Sequence, residues 1–127
     1  MIAIEAEVRK SIRHGRGLYA MQDIPKDTVV YFFNPDIDDT MLLNDASDED
    51  RHFGYACRTR PKILSICGDM ARFWNFPNPD EAANCVESDI MLFGEPIVVA
   101  TNGIMAGEEL LICPLTDLLY ESKVRNL

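Results

Sequence analysis

Three short stretches carry residue types and spacings that could do chemistry. In Gly15-Arg16-Gly17-Leu18 two glycines stand one residue apart. Glycine accepts positive φ and lets the backbone approach a ligand closely, so this is a candidate binding turn, although an ordinary hairpin has the same pattern. Arg72-Phe73-Trp74-Asn75-Phe76 sets a cation and an amide among aromatic rings, in a pattern that a buried aromatic strand would also give. Gly107-Glu108-Glu109 closes a third turn. Metal chemistry has no comparable support. Cys57, Cys67, Cys85 and Cys113 form no C-x-x-C pair, and His14 and His52 stand apart from any cysteine pair. Reduced, mostly buried thiols are the expectation.

The elements that must position these stretches are mostly strands. Ile2, Ile4, Ala6 and Val8 alternate with polar or small residues, which gives a half-buried strand. Ile24-Pro25-Lys26-Asp27 is a turn, followed by the β-rich run Thr28–Phe33. Residues 34 to 68 are the least regular part. There Ser47 and Asp50 form a capping box that starts a short helix through Phe53 and Tyr55. Ile97–Ala100 and Leu110–Cys113 are further strands, the second ended by Pro114. Leu115, Leu118 and Leu119 share one face of a short C-terminal helix.

At 127 residues the chain fits one domain that can bury a core without disulfides or metal. Its hydrophobic share of 47% and charged share of 26% are those of an ordinary globular protein. No apolar run approaches the roughly 20 residues that span a bilayer. The alternating, glutamate-bearing start MIAIEAEVRKS is a strand and not a signal peptide. A cytoplasmic protein is expected, or one inside a host cell if its source is viral. The net charge is −9, and its distribution is uneven. Nine acids and no lysine or arginine lie between Phe73 and Ser122, and seven acids and no base between Asn34 and Asp50. Such a surface repels nucleic acid and suits a basic peptide, though acids also serve simply to keep a domain soluble.

In order along the chain, the segments Glu7–Val30, Gly68–Asn75 and Pro96–Leu110 resemble the SET-domain family. The first has the family's strand, its G-x-G-x-x-A turn (Gly15, Gly17, Ala20) and a second strand, with Asp27 where a glycine is usual. The second is similar to G-N-x-A-R-F-x-N-H-S, matching at Gly68, Ala71, Arg72, Phe73 and Asn75, with Phe76 and Pro77 replacing the histidine and serine. Ala83-Asn84-Cys85 stands for the family's P-N, displaced by three extra residues in the stretch Phe76–Ala82. The third contains the family's G-E-E-L as Gly107–Leu110. Counting onward, the family's active-site tyrosine falls on Pro114. The resemblance runs from residue 5 to about 113, without cysteine-rich flanking modules, as in small SET proteins of viruses and bacteria.

The resemblance implies a mainly β, β-clip architecture of short curved sheets with few short helices and a C-terminal pseudoknot. Asn75 and the Asn84 region would there meet Leu110–Cys113, placing Pro114 beside the reacting methyl group. It implies S-adenosyl-L-methionine as cofactor, held by Gly15, Arg16, Gly17 and Leu18 at its methionine end. Arg72, Phe73, Asn75 and Phe76 would hold the adenine, with the Phe76 ring able to cover it. The implied activity is methylation of a lysine in a basic peptide or protein, with Tyr120 or Tyr55 standing in for the missing tyrosine. For both tyrosines, a place at a packing boundary is the plainer reading. The alternative function is a catalytically inactive SET-fold module that binds protein. Exposed β-edges also make a homodimer an expectation.

Overall fold

The computed structural model describes residues 1–55 and 62–113. Three small antiparallel sheets surround one core. Strands β1 (Ala6–Lys10) and β2 (Arg16–Ala20) pair from Ala6–Ala20 to Lys10–Arg16. Strand β3 (Val29–Tyr31) lies beside β8 (Glu95–Ala100), which pairs on its other edge with β7 (Cys85–Leu92). A third sheet holds β4 (Asp39–Leu42), β6 (Ile63–Ile66) and β5 (Gly54–Tyr55), with β6 central. Leu18, Val30, Leu64, Phe76, Val98 and Leu110 are fully buried where the sheets converge. At the usual 25 cal/mol per Å² of apolar area, each such side chain contributes about 2 kcal/mol.

Helix α1 (Asp48–Phe53) begins as its sequence dictates. The Ser47 hydroxyl accepts from the Asp50 N–H at 3.1 Å, and the Asp50 carboxylate accepts from the Ser47 N–H at 3.1 Å. The helix is shorter than expected, because the chain turns extended at Gly54 and Tyr55 joins β5 opposite Ser65. The middle of the chain is also more regular than its sequence suggests, since β4 and β6 lie within it. The Arg72-Phe73 stretch is not the buried aromatic strand that its pattern would also allow but part of a 3-10 turn, Met70–Phe73, capped by the Asp69 side chain on the Ala71 N–H. Among the described residues no helix is long and apolar enough to cross a membrane. The expected C-terminal helix, Pro114 and Tyr120 lie outside the described residues.

The expected strand Leu110–Cys113 is a segment bridged one residue at a time. The Leu110 N–H donates to the Leu18 carbonyl at 2.8 Å, and the Glu108 carbonyl accepts from the Ala20 N–H at 2.9 Å. The Leu111 carbonyl accepts from the Asn84 and Cys85 N–H groups, both at 3.0 Å, and the Ile112 N–H donates to the Asn75 carbonyl at 3.1 Å. Its partners come from separate parts of the chain, each offering a bond or two, so no continuous ladder forms. The segment thus meets the Asn75 and Asn84 regions, as anticipated, and on its other side β2, which was not. Burial pushes the Cys85 thiol up to about 12 and the Cys67 thiol up to about 11.

At the far end of the β7–β8 sheet, Pro96 has no N–H, and β7 holds two more residues than β8 between the pairs Glu87–Val98 and Met91–Pro96. The hairpin closes on Phe93 and Gly94, with φ of 52° and 78°. Two positive φ values are the mark of a type I′ turn, whose first position suits asparagine and strains a bulky residue. Phe93 is 62% exposed, so its ring recovers little by packing. Replacing it (Phe93→Asn) is expected to stabilise the protein by about 1 kcal/mol, raising the melting temperature by roughly 4 °C. An unchanged or lower melting temperature would contradict this reading of the turn.

Candidate functional site

Glu109 is 6% exposed, and four side chains converge on its carboxylate. On Oε1 it accepts from the Ser11 hydroxyl at 2.7 Å, from Arg13 Nη1 at 3.1 Å and from the Tyr19 hydroxyl at 3.2 Å. On Oε2 it accepts from Asn75 Nδ2 at 2.8 Å. A buried carboxylate is tolerated only when paired and hydrogen-bonded, and this one is both. Burial, and then the negative charge of Glu109, raise Tyr19 above the ordinary tyrosine range.

The Asn75 amide ties the first and second motifs together. Its Nδ2, with two hydrogens shared among three acceptors, also lies 3.1 Å from the His14 carbonyl and 2.9 Å from the Arg16 carbonyl, so it holds the glycine turn from beneath. Gly17 passes directly over this junction. A Cβ there would lie 2.2 Å from Glu109 Oε2 and 3.0 Å from Asn75 Nδ2. Gly15 has φ of +40° and open space where a Cβ would stand. The first glycine therefore serves the turn, and the second serves the close approach.

In front of this junction is a cleft of about 240 Å³, lined by His14, Gly15, Arg16, His52, Phe53, Arg72, Phe73 and Asn75. Phe53, at the end of α1, meets Phe73 edge to face with ring centroids 5.9 Å apart. The Arg72 guanidinium lies 4.7 Å from the Phe53 centroid and 5.6 Å from that of Phe73, within cation–π range. One wall is thus aromatic and cationic, and the other is the turn His14–Arg16 with Asn75. Among the described residues no three His, Cys, Asp or Glu side chains gather as a metal site.

A second clamp holds the turn from the side. Arg13 Nε lies 2.9 Å and 3.1 Å from the two carboxylate oxygens of Glu81, and Nη2 is bonded to Glu81 as well. These bonds hold the Arg13 guanidinium firmly protonated and lower Glu81 to about 2. Glu81 also accepts from the Asn78 N–H at 3.1 Å, and so braces the lengthened stretch 76–82.

Of the residues expected to hold a cofactor, Gly15, Arg16, Arg72, Phe73 and Asn75 meet at the cleft, and Gly17 lies behind it. Leu18 and Phe76 do not reach it. The Leu18 side chain is wholly buried in the core. The Phe76 ring, also wholly buried, packs with Tyr31, Trp74 and Ile112 around a small apolar cavity, which corrects the idea that it covers a ligand. An uncharged ring gains more in the core than on a half-wet wall. Tyr55 is placed on β5, two residues beyond Phe53. His14, His52 and Phe53 were not anticipated as cleft residues, nor were Ser11, Arg13, Tyr19 and Glu109 as its frame. The Gly107-Glu108-Glu109 motif was the available signal for Glu109, whereas the approach of α1 to Phe73 leaves no local pattern.

The SET domain family model matches residues 15–113. The chain belongs to the SET-domain family. It is similar in fold to a putative histone methyltransferase of Plasmodium falciparum, with a TM-score of 0.63 and 16% sequence identity over 88% of this chain and 94% of that one. Comparison with curated protein sequences finds no match.

Two outcomes follow from the frame. Gly17→Ala drives a methyl group into a carboxylate that four donors hold in place, and is expected to cost about 2 kcal/mol in thermal or denaturant unfolding. A loss near zero would mean that the junction is loose. Because Glu81 titrates lower when folded than when unfolded, its ion pair contributes fully above about 4.5. That contribution is lost as pH falls from there toward 2. The stability gap between the native protein and Glu81→Gln is therefore expected to be widest near neutral pH and to close across this window. A gap independent of pH would contradict the pairing.

Proposed function

We propose that the protein is a SET-type, S-adenosylmethionine-dependent protein-lysine methyltransferase with a degenerate active-site motif. One observation carries this reading: the turn Gly15–Gly17 and the motif Arg72–Asn75 meet across one cleft and are locked there by Glu109. The donor set suits the cofactor. Aromatic faces at Phe53 and Phe73, with Arg72 beside them, match an adenine, while Arg16 and the backbone at Gly15 match an amino-acid carboxylate. The segment Glu108–Ile112, held between β2 and the Asn75 and Asn84 regions, is read as the family's pseudoknot.

The bound sulfonium supplies an activated methyl group for in-line displacement by an amine. What remains for the chain is to hold the nucleophile neutral, aligned and out of water. In this reading the wall His14–Arg16 would hold the amino-acid end of the cofactor and the aromatic wall its adenine. The acidic runs at 34–50 and 73–122 attract a basic, lysine-bearing segment. Basic substrates are in keeping with the histone methyltransferase named for the structural neighbour. Pro114 has no hydroxyl to orient the amine, and Tyr120 or Tyr55 takes that part.

Pro114 is also the specific feature favouring a second reading, a SET-fold module that binds a protein and transfers nothing. Calorimetric titration with S-adenosylmethionine and its demethylated product separates the outcomes. The methyltransferase reading expects dissociation constants on the order of micromolar, with methyl transfer to basic peptides. Loss of that transfer by about 100-fold is expected in Tyr120→Phe or Tyr55→Phe. Binding without transfer to any basic peptide supports the module. No heat at millimolar ligand defeats the cofactor site itself.

A further inference from the structure

The Arg13–Glu81 pair joins parts of the chain 68 residues apart, and no motif contains it. We infer that Glu81 is a positioning residue for one end of the cleft: acting through Arg13, it fixes the wall His14–Arg16 against which the amino-acid end of the cofactor lies. This inference rests on the reading of the cleft as a cofactor site.

The wall is held at three points. Asn75 Nδ2 holds the His14 and Arg16 carbonyls from beneath. The Ser11 hydroxyl accepts from the Arg13 and His14 N–H groups at 2.9 and 3.3 Å, and so folds the turn on itself. Arg13 supplies the third point, with its fork divided between Glu81, on Nε and Nη2, and Glu109, on Nη1. A guanidinium is planar, so two bonds to Glu81 fix the direction in which Nη1 points. Without Glu81 the plane is free to rotate about its stem, and the bond to Glu109 loses its alignment. Glu81 is itself held by the turn at 78–81, where its own N–H donates to the Asn78 carbonyl at 2.9 Å. The lengthened stretch 76–82 is thus a brace reaching from just after Asn75 to the opposite wall.

The facing wall does not depend on this brace. Phe53 is set by the capped helix α1, and Phe73 by the turn capped at Asp69. Loss of Glu81 should therefore disturb one end of the cleft and spare the other. A general loosening would disturb both.

The test compares two ligands that share the adenine nucleoside, S-adenosylhomocysteine and 5′-methylthioadenosine, of which only the first carries the amino-acid carboxylate and ammonium. Native protein, Glu81→Gln, Glu81→Asp and the exposed control Asp89→Asn are titrated with each, and a thermal melt confirms that every variant is folded. Glu81→Gln is expected to weaken S-adenosylhomocysteine by about fivefold to tenfold while 5′-methylthioadenosine changes by less than about twofold. Glu81→Asp, which keeps the charge on a shorter stem, should fall between, and Asp89→Asn should match the native protein. Equal weakening of both ligands, or no change in either, overturns the inference. If the native protein binds neither ligand, the cofactor reading fails and takes this inference with it.

Discussion

The buried carboxylate of Glu109 is the constraint on which the site depends. A charge taken out of water is stable only if its oxygens are filled; three of the donors that fill them, Ser11, Arg13 and Tyr19, come from the segment 11–19, and the fourth is Asn75. Their convergence dictates other choices. Residue 17 must lack a side chain, because Glu109 Oε2 occupies the space. Residue 75 needs an amide that can reach both Glu109 and the carbonyls of His14 and Arg16. The backbone on either side of Glu109 is bonded to β2, so the charge cannot move without shifting that strand. A binding turn that would be loose in isolation is therefore built on a fixed floor.

This arrangement also divides the charges of the protein. Arg13, Arg16 and Arg72 stand at or beside the cleft, while the long runs on either side of the Arg72 motif are acidic. A cleft lined by cations and aromatic rings in an otherwise acidic body favours a ligand with an anionic end and a flat ring. Under the proposed function, the acidic runs would serve to attract the basic substrate.

Much of this was legible in the sequence where the signal is local. The capping box at Ser47 and Asp50, the alternation that marks β1 and the apolar run of β8 depend only on near neighbours. The G-x-G turn, Arg72–Asn75 and Gly107–Glu109 marked the parts of the site. What brings them together is not local. The Glu109 carboxylate and Asn75 amide are 34 residues apart, and Arg13 and Glu81 are 68 apart. The β4–β6–β5 sheet was not anticipated because β4 is mostly exposed on both faces and shows no alternation. Phe76 was misplaced for a related reason. Its position after Asn75 suggests the site, but an aromatic ring with no polar atom is better stabilised in the core.

The most direct measurement is hydrogen exchange across the whole chain, with and without saturating S-adenosylhomocysteine. Ligand held between the glycine turn and the aromatic motif should slow exchange at amides from His14 to Gly17 and from Arg72 to Asn75, and leave the β7–β8 hairpin tip unchanged. Protection spread evenly, or confined to segments away from these two, would show that the floor built on Glu109 does not frame the binding site.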